Sequence, residues 1–222
     1  MTVAARLVTE EAEPNLTEEE QDTGVRSYQW TVDEYYCAIE LGLFEHPERL
    51  ELIRGEILEK VAPQETPHAQ ATGYVYDLAV EMFGPSNHVR SQSPLNISKK
   101  TEPEPDVMVV RGKRRDYDRR KPTPADVLLL VEVSDTTLGY DRNSKAALYA
   151  EVGVEDYWVL SLNGRWLEVR RSPAPMPDSR YGFGYKTTFH YAEEDVVSPL
   201  HAPEAKIRVG ELLPTLSLEA RE

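Results

Sequence analysis

Val127-Leu128-Leu129-Leu130-Val131-Glu132-Val133-Ser134 is the stretch on which the fold of this chain turns. An unbroken apolar run of this length reads as a strand covered on both faces. A carboxylate near its end is out of place, because burying an unpaired charge costs several kcal/mol. Glu132 therefore needs a partner. Upstream, Pro105-Asp106-Val107-Met108-Val109-Val110 puts a second carboxylate at the head of another apolar strand, and Lys145 follows downstream. A divalent metal shared by Asp106 and Glu132, with Lys145 adjoining, is the expected solution. Such a trio can support hydrolysis of a phosphodiester.

The 222 residues, 40% of them hydrophobic, are enough for one sizeable core. A formal net charge of -14 argues against a protein that coats nucleic acid through its overall field. Part of the imbalance is local. Residues 1–26 carry Glu10, Glu11, Glu13, Glu18, Glu19, Glu20 and Asp22, have little apolar pattern and read as a disordered acidic tail. Residues 27–214 are expected to form one domain and residues 215–222 a C-terminal tail. The single cysteine, Cys37, excludes an intramolecular disulfide and any cysteine-built zinc site. Its setting between Tyr36 and Ala38 reads as a small buried hydrophobe. No membrane-length apolar run or signal-peptide pattern is present, so a cytoplasmic location is expected.

Thr31 and Glu34 form a capping-box pattern ahead of a helix over 32–43. Arg54-Gly55, at the centre of Leu50 to Leu58, reads as a tight hairpin. A helix is expected over 68–83, with Tyr74, Leu78 and Met82 on one face. Strands follow at 88–98, 107–110 and 127–133, then a helix at 142–152, a strand at 156–161, an Asn163-Gly164 turn and a strand at 166–170. Short strands or a terminal turn are expected at 185–191 and 207–212. This order gives an α/β domain with a mixed central sheet, and the strand–helix–strand unit around Lys145 is its parallel crossover.

Spacing alone leaves bland readings open: Asp106 can cap a turn after Pro105, Glu132 can pair with a lysine, and a lone helical lysine is usually a surface charge. Lys145 gains weight from its neighbours. From the first turns of its helix it can reach the sheet edge where Glu132 ends, there to orient or help deprotonate water, or to neutralise a phosphate. The loop 111–121 is the one strongly basic stretch, with Arg111, Lys113, Arg114, Arg115, Arg119, Arg120 and Lys121 against Asp116 and Asp118. It is placed to meet a phosphate backbone, with Tyr117 free to stack on a base, or else to be a solvated loop.

Pro105-Asp106, Val131-Glu132-Val133-Ser134, the step from Lys145 to Tyr149, and Gly153-Val154-Glu155-Asp156-Tyr157-Trp158 resemble the "putative restriction endonuclease" domain family of the PD-(D/E)XK nuclease superfamily. The Glu51-Leu52-Ile53, Gly55-Glu56 and His68 positions fall in the same order, and the resemblance spans roughly residues 31–213. It implies a restriction-endonuclease-like mixed sheet flanked by helices and a Mg²⁺-dependent (or Mn²⁺-dependent) phosphodiesterase site. In that site Asp106 and Glu132 match the metal carboxylates and Lys145 the lysine. The superfamily's lysine two residues after the glutamate is Ser134 here, so the ammonium has to come from the following helix. Glu51 is the further acid expected near the metal, with Glu56 behind it, and His68 is a site residue or a helix cap.

The leading expectation is thus a metal-dependent DNA endonuclease, with a homodimer possible for cutting both strands. The alternatives are a non-catalytic binding or assembly module on a nuclease fold, favoured by the negative charge, and a hydrolase of a smaller phosphate substrate. The position of loop 111–121 discriminates. If it faces away from the carboxylates, duplex DNA is hard to defend as the substrate.

Overall fold

The computed structural model describes residues 26–60 and 66–215. Most of the expected acidic tail (1–25) and of the C-terminal tail (216–222) lies outside the described residues. Six strands form the central sheet: β3 (Asn87–Ser91), β4 (Val107–Arg111), β5 (Val127–Ser134), β6 (Asp156–Ser161), β7 (Trp166–Pro175) and β8 (Phe183–Ala192), in spatial order β3-β4-β5-β6-β7-β8. Ahead of them stands a separate hairpin of β1 (Leu50–Ile53) and β2 (Glu56–Glu59), and the strands β9 (Val196–Val197) and β10 (Ile207–Arg208) form a small ribbon after them. All eight residues of β5 are buried, as the opening run requires.

Only β5 and β6 pair in parallel; the other neighbours in the sheet are antiparallel. Their crossover is built on a continuous helical run: α3 (Leu138–Tyr140), a π-helical segment Asp141–Lys145 and α4 (Ala146–Glu151). This crossover packs on one face of the sheet, where Ala146, Tyr149 and Ala150 meet Met108, Leu130, Tyr157 and Val159. On the other face α2 (Thr66–Phe83) lays Ala71, Val75, Ala79 and Phe83 against Val107, Val131, Val133 and Trp158. Each buried Val or Leu contributes about 1.5–3 kcal/mol, so both helices are held by the sheet. Because side chains alternate along a strand, Val131 and Val133 face α2 while Leu130 and Glu132 face the crossover.

Arg54 (φ 52°) and Gly55 (φ 82°) form the tight turn between β1 and β2. A Cβ on Gly55 would fall 2.6 Å from the Gln29 Cβ, so only glycine fits. The helix α1 (Val32–Glu40) has the full capping box of Thr31 and Glu34 but ends at the Leu41 cap, leaving Leu41 and Leu43 exposed. Cys37 is exposed, not the buried hydrophobe expected, because Tyr35 and Ala38 take the inner face. The stripe of α2 is also shifted: Tyr74 is exposed, and the smaller Ala71, Val75 and Ala79 allow close approach to the sheet.

The strand expected over 88–98 stops at Ser91, where Gln92 turns to φ 44°. The expected strands at 166–170 and 185–191 are instead ten-residue strands β7 and β8 of one long hairpin. The helix expected over 142–152 begins earlier and contains the π segment. Among the described residues, no helix is long and apolar enough to cross a membrane.

Candidate active site

Asp106 stands immediately before β4, and the pairing of Val107 with Val131 brings it beside Glu132. The Val133 backbone N–H donates to Asp106 Oδ2 at 2.8 Å. The same oxygen lies 3.3 Å from His68 Nε2, carried on the first turn of α2. His68 is therefore a partner of Asp106. Burial raises the Asp106 carboxyl, but the His68 hydrogen bond and the charges of His68, Lys60 and Lys145 outweigh it and hold the group below the usual range. Conversely, burial lowers the His68 imidazole and the bond to Asp106 more than restores it, so its pKa is raised. Asp106 Oδ1 is buried with no hydrogen-bond partner among the described residues.

Glu132 projects from β5 towards the crossover. Its Oε1 accepts from Lys145 Nζ at 2.9 Å and from the Tyr149 hydroxyl at 2.8 Å. Lys145 ends the π-helical segment and Tyr149 lies one turn later in α4, so both point at the same strand. π-Helical turns inside helices recur at functional sites. Lys145 Nζ also donates to Glu51 Oε1 at 3.0 Å, and Lys60 Nζ lies 3.1 Å from that same oxygen.

Asp106, Glu132, Lys145 and Glu51, named from sequence, are thus brought together, and all four are almost fully buried. Glu56 does not join them; it is exposed on β2.

Burial pushes the Glu132 carboxyl up to about 8; Asp106, Asp141 and Glu51 add repulsion, and Lys145 offsets only part of it. Burial alone would lower Lys145, but Glu132, Glu51, Asp141 and Asp106 hold it well above the ordinary lysine value. These carboxylates favour the ammonium form of Lys145, which can orient a water or neutralise a phosphate. Glu51, raised by burial, is brought below its usual value by Lys145 and Lys60.

Two contributors were missed, and Tyr149, quoted only as the end of the step from Lys145, was given no role although its i+4 spacing signals one. Asp141, four residues before Lys145, is buried and accepts from the hydroxyls of Ser134 and Thr137 at 2.7 and 2.6 Å. Lys60 follows β2 with no local pattern to mark it.

Among the described residues no group of three or more His, Cys, Asp or Glu forms a ready-made metal cage. Mg²⁺ does not demand one, since it binds through one or two carboxylates plus waters and phosphate oxygens. The buried, unpartnered Asp106 Oδ1 beside Glu132 is hard-oxygen chemistry of that kind. The donor set fits a hard divalent cation.

Of the two readings open for the basic loop, the structure favours the solvated one. Arg111, the last residue of β4, pairs with Asn87, so the loop leaves the sheet about 16 Å of strand away from Asp106. There Arg120 forms two hydrogen bonds with Asp126 at 2.6 and 2.9 Å and stacks on Tyr117 at 4.6 Å. Tyr117 is buried and donates to the Arg111 carbonyl, so it is no platform for a base. Only Lys121 is seen to fold back, to Glu102 at 2.6 Å and over the Tyr36 ring.

This mixed sheet, with a carboxylate pair on adjacent strands and a lysine from the crossover, is a nuclease-type α/β fold. A solved structure described as a putative nuclease belonging to DUF820, from Anabaena variabilis ATCC 29413, superposes with a TM-score of 0.59 at 18% identity, covering 82% of this chain and 97% of that one. Comparison with curated proteins finds no match. The model of the Uma2 family, described as "Putative restriction endonuclease", matches residues 32–208, and the chain belongs to that family.

Proposed function

We propose that the chain is a metal-dependent endonuclease that hydrolyses DNA phosphodiester bonds through a metal-activated water. The observation that carries this reading is Asp106. One of its oxygens is fixed by the Val133 N–H and His68, while the other is buried without a partner beside Glu132. Asp106 and Glu132 would hold Mg²⁺ or Mn²⁺, which supplies a water of lowered pKa and charge stabilisation at the phosphate.

The chain's own residues do the rest. Lys145 carries a fixed positive charge against Glu132 and Glu51, and Tyr149 holds the orientation of Glu132 by donating to its Oε1. His68 keeps the Asp106 carboxyl ionised. Lys60, with 29% of its side chain exposed, is the cation at the rim where a phosphate oxygen would arrive. A phosphate dianion or diester entering this site replaces water with preorganised donors, which is where electrostatic catalysis draws its strength.

A second reading, hydrolysis of a smaller phosphate substrate, is favoured by the acidic surface and by the basic loop standing at the far end of β4. Nicking of supercoiled plasmid at low salt, with and without Mg²⁺ or Mn²⁺, tests the proposal. Wild-type nicking that needs the metal and is lost in Asp106→Ala and Lys145→Ala is expected. Metal-independent nicking, or nicking retained by both variants, would contradict it.

A further inference from the structure

Between α2 and the edge strand β3 runs a cavity of about 310 Å³, lined by Ala69, Thr72, Gly73 and Tyr76 from the helix and by Ser91 and Gln92 from the strand end. None of these residues carries a charge. The cavity shares its framework with the active site: the Ser91 hydroxyl and the Gln92 N–H both donate to the Asp106 carbonyl at 3.0 Å. Across from them, Thr72 stands one turn after His68 on the same face of α2. Thr72 is 6% exposed and its hydroxyl has no partner among the described residues, and His68 Nδ1 is likewise buried and unpartnered among them. Buried polar atoms left without partners call for an explanation. Thr72 lines the cleft, and His68 sits one turn before it on the same helix, against Asp106.

The cleft's volume falls at the small end of ligand sites. Its lining is one aromatic ring, small residues that leave room beside the helix, and hydroxyl groups. That suits a base and its sugar, and does not suit a phosphate, which would draw arginine or lysine. Duplex DNA would need a basic cradle along two backbones. The chain carries a net charge of -14, and its one strongly basic loop departs from the far end of β4. Gripping one unpaired nucleotide by stacking needs no such cradle.

We propose that the α2–β3 cleft is a nucleoside subsite that takes the base and sugar of an unpaired nucleotide next to the scissile phosphate. Tyr76 is its stacking face and the Thr72 hydroxyl its polar contact. This deepens the nuclease reading and rests on it: the preferred substrate becomes single-stranded or frayed DNA.

The test is fluorescence anisotropy of the full chain without divalent metal. The probes are a short single-stranded oligothymidylate and a blunt duplex of equal length, with wild type beside Gly73→Leu and Thr72→Val. Gly73 lines the cleft and a Cβ built there meets nothing within 4 Å, so a leucine adds bulk at the cleft wall without a clash at its Cβ. A thermal melt verifies that each variant is folded. Tighter binding of the single strand than of the duplex is expected, with single-strand affinity reduced about tenfold or more by Gly73→Leu. Mn²⁺ affinity should not change in that variant. Equal single-strand affinity in wild type and Gly73→Leu, with metal-dependent cleavage intact, overturns the subsite and leaves the nuclease reading standing. Absence of both nucleic-acid binding and cleavage in wild type overturns both.

Discussion

Asp106 and Asp156 are both buried aspartates at the ends of strands in the same sheet, yet their surroundings differ in kind. Asp156 Oδ1 accepts from Trp158 Nε1 at 2.9 Å and Arg171 Nε at 2.8 Å, and its Oδ2 accepts from the Leu200 N–H at 2.7 Å. Arg171 goes on to bind the Ser198 carbonyl at 2.7 Å, tying the segment after β8 to the sheet. Every lone pair that matters at Asp156 has a donor. Asp106 has donors on one oxygen only, and its neighbour Glu132 is pushed towards protonation. The contrast separates two uses of buried charge: a carboxylate whose needs are met within the chain holds the fold, and one left short can bind something from outside it.

The largest effect that would sharpen this contrast is expected from Lys145→Ala. Glu51 and Glu132 would be left buried without their shared cation, at a cost of about 3–5 kcal/mol. Nuclease activity per folded molecule should fall at least about 100-fold. Chemical denaturation and plasmid nicking read the two separately. If stability fell and nicking did not, Lys145 would be structural, like Arg171.

Asp156→Ala should cost about 3 kcal/mol in denaturant melts, because Arg171 would lose its carboxylate in a largely buried setting. Activity per folded molecule should be unaffected. A loss of activity beyond the loss of folded protein would erase the distinction between the two aspartates.

The pH dependence of stability reports on Glu132. Its folded pKa of about 8 lies above the ordinary glutamate value of 4.5, so between these values the folded state keeps a proton that the unfolded chain has released. Stability contributed by this group is therefore full below about 4.5 and is lost as pH rises through about 8. Melts of wild type and Glu132→Gln across that window should diverge, the variant lacking this decline. Parallel curves would show that Glu132 is ionised throughout, as a satisfied structural carboxylate would be.

The smallest effect is expected from Tyr149→Phe, which removes one donor to Glu132 and should cost about 1 kcal/mol. Nicking should weaken without being abolished. A variant as stable as wild type would mean that Glu132 does not depend on this hydroxyl.

The parts of this arrangement that local chemistry dictates were legible in the sequence. The all-buried β5, the parallel crossover, the Arg54-Gly55 turn and the Thr31 cap follow from apolar continuity and turn geometry. Asp106, Glu132, Lys145 and Glu51 stood out because each is a charge set in or beside an apolar strand or its connection. What stayed hidden depends on packing between distant segments. Lys60 reaches Glu51 across the β1–β2 hairpin, and the π-helical turn that delivers Lys145 has no composition of its own. The inner face of α2 was read in part: Leu78 and Met82 pack against the core at its margin, but Tyr74 is exposed and the face's centre is Ala71, Val75 and Ala79, whose small size lets the helix sit close. The basic loop stayed ambiguous because adjacency in sequence to two carboxylate strands does not say which end of them it leaves.

The most direct test is calorimetric titration of Mn²⁺ into wild type, Asp106→Asn and Asp156→Asn. The account predicts binding to wild type and to Asp156→Asn with like affinity, and none to Asp106→Asn. Binding that survives in Asp106→Asn, or is absent from folded wild type, would contradict the assignment of Asp106 as the metal carboxylate.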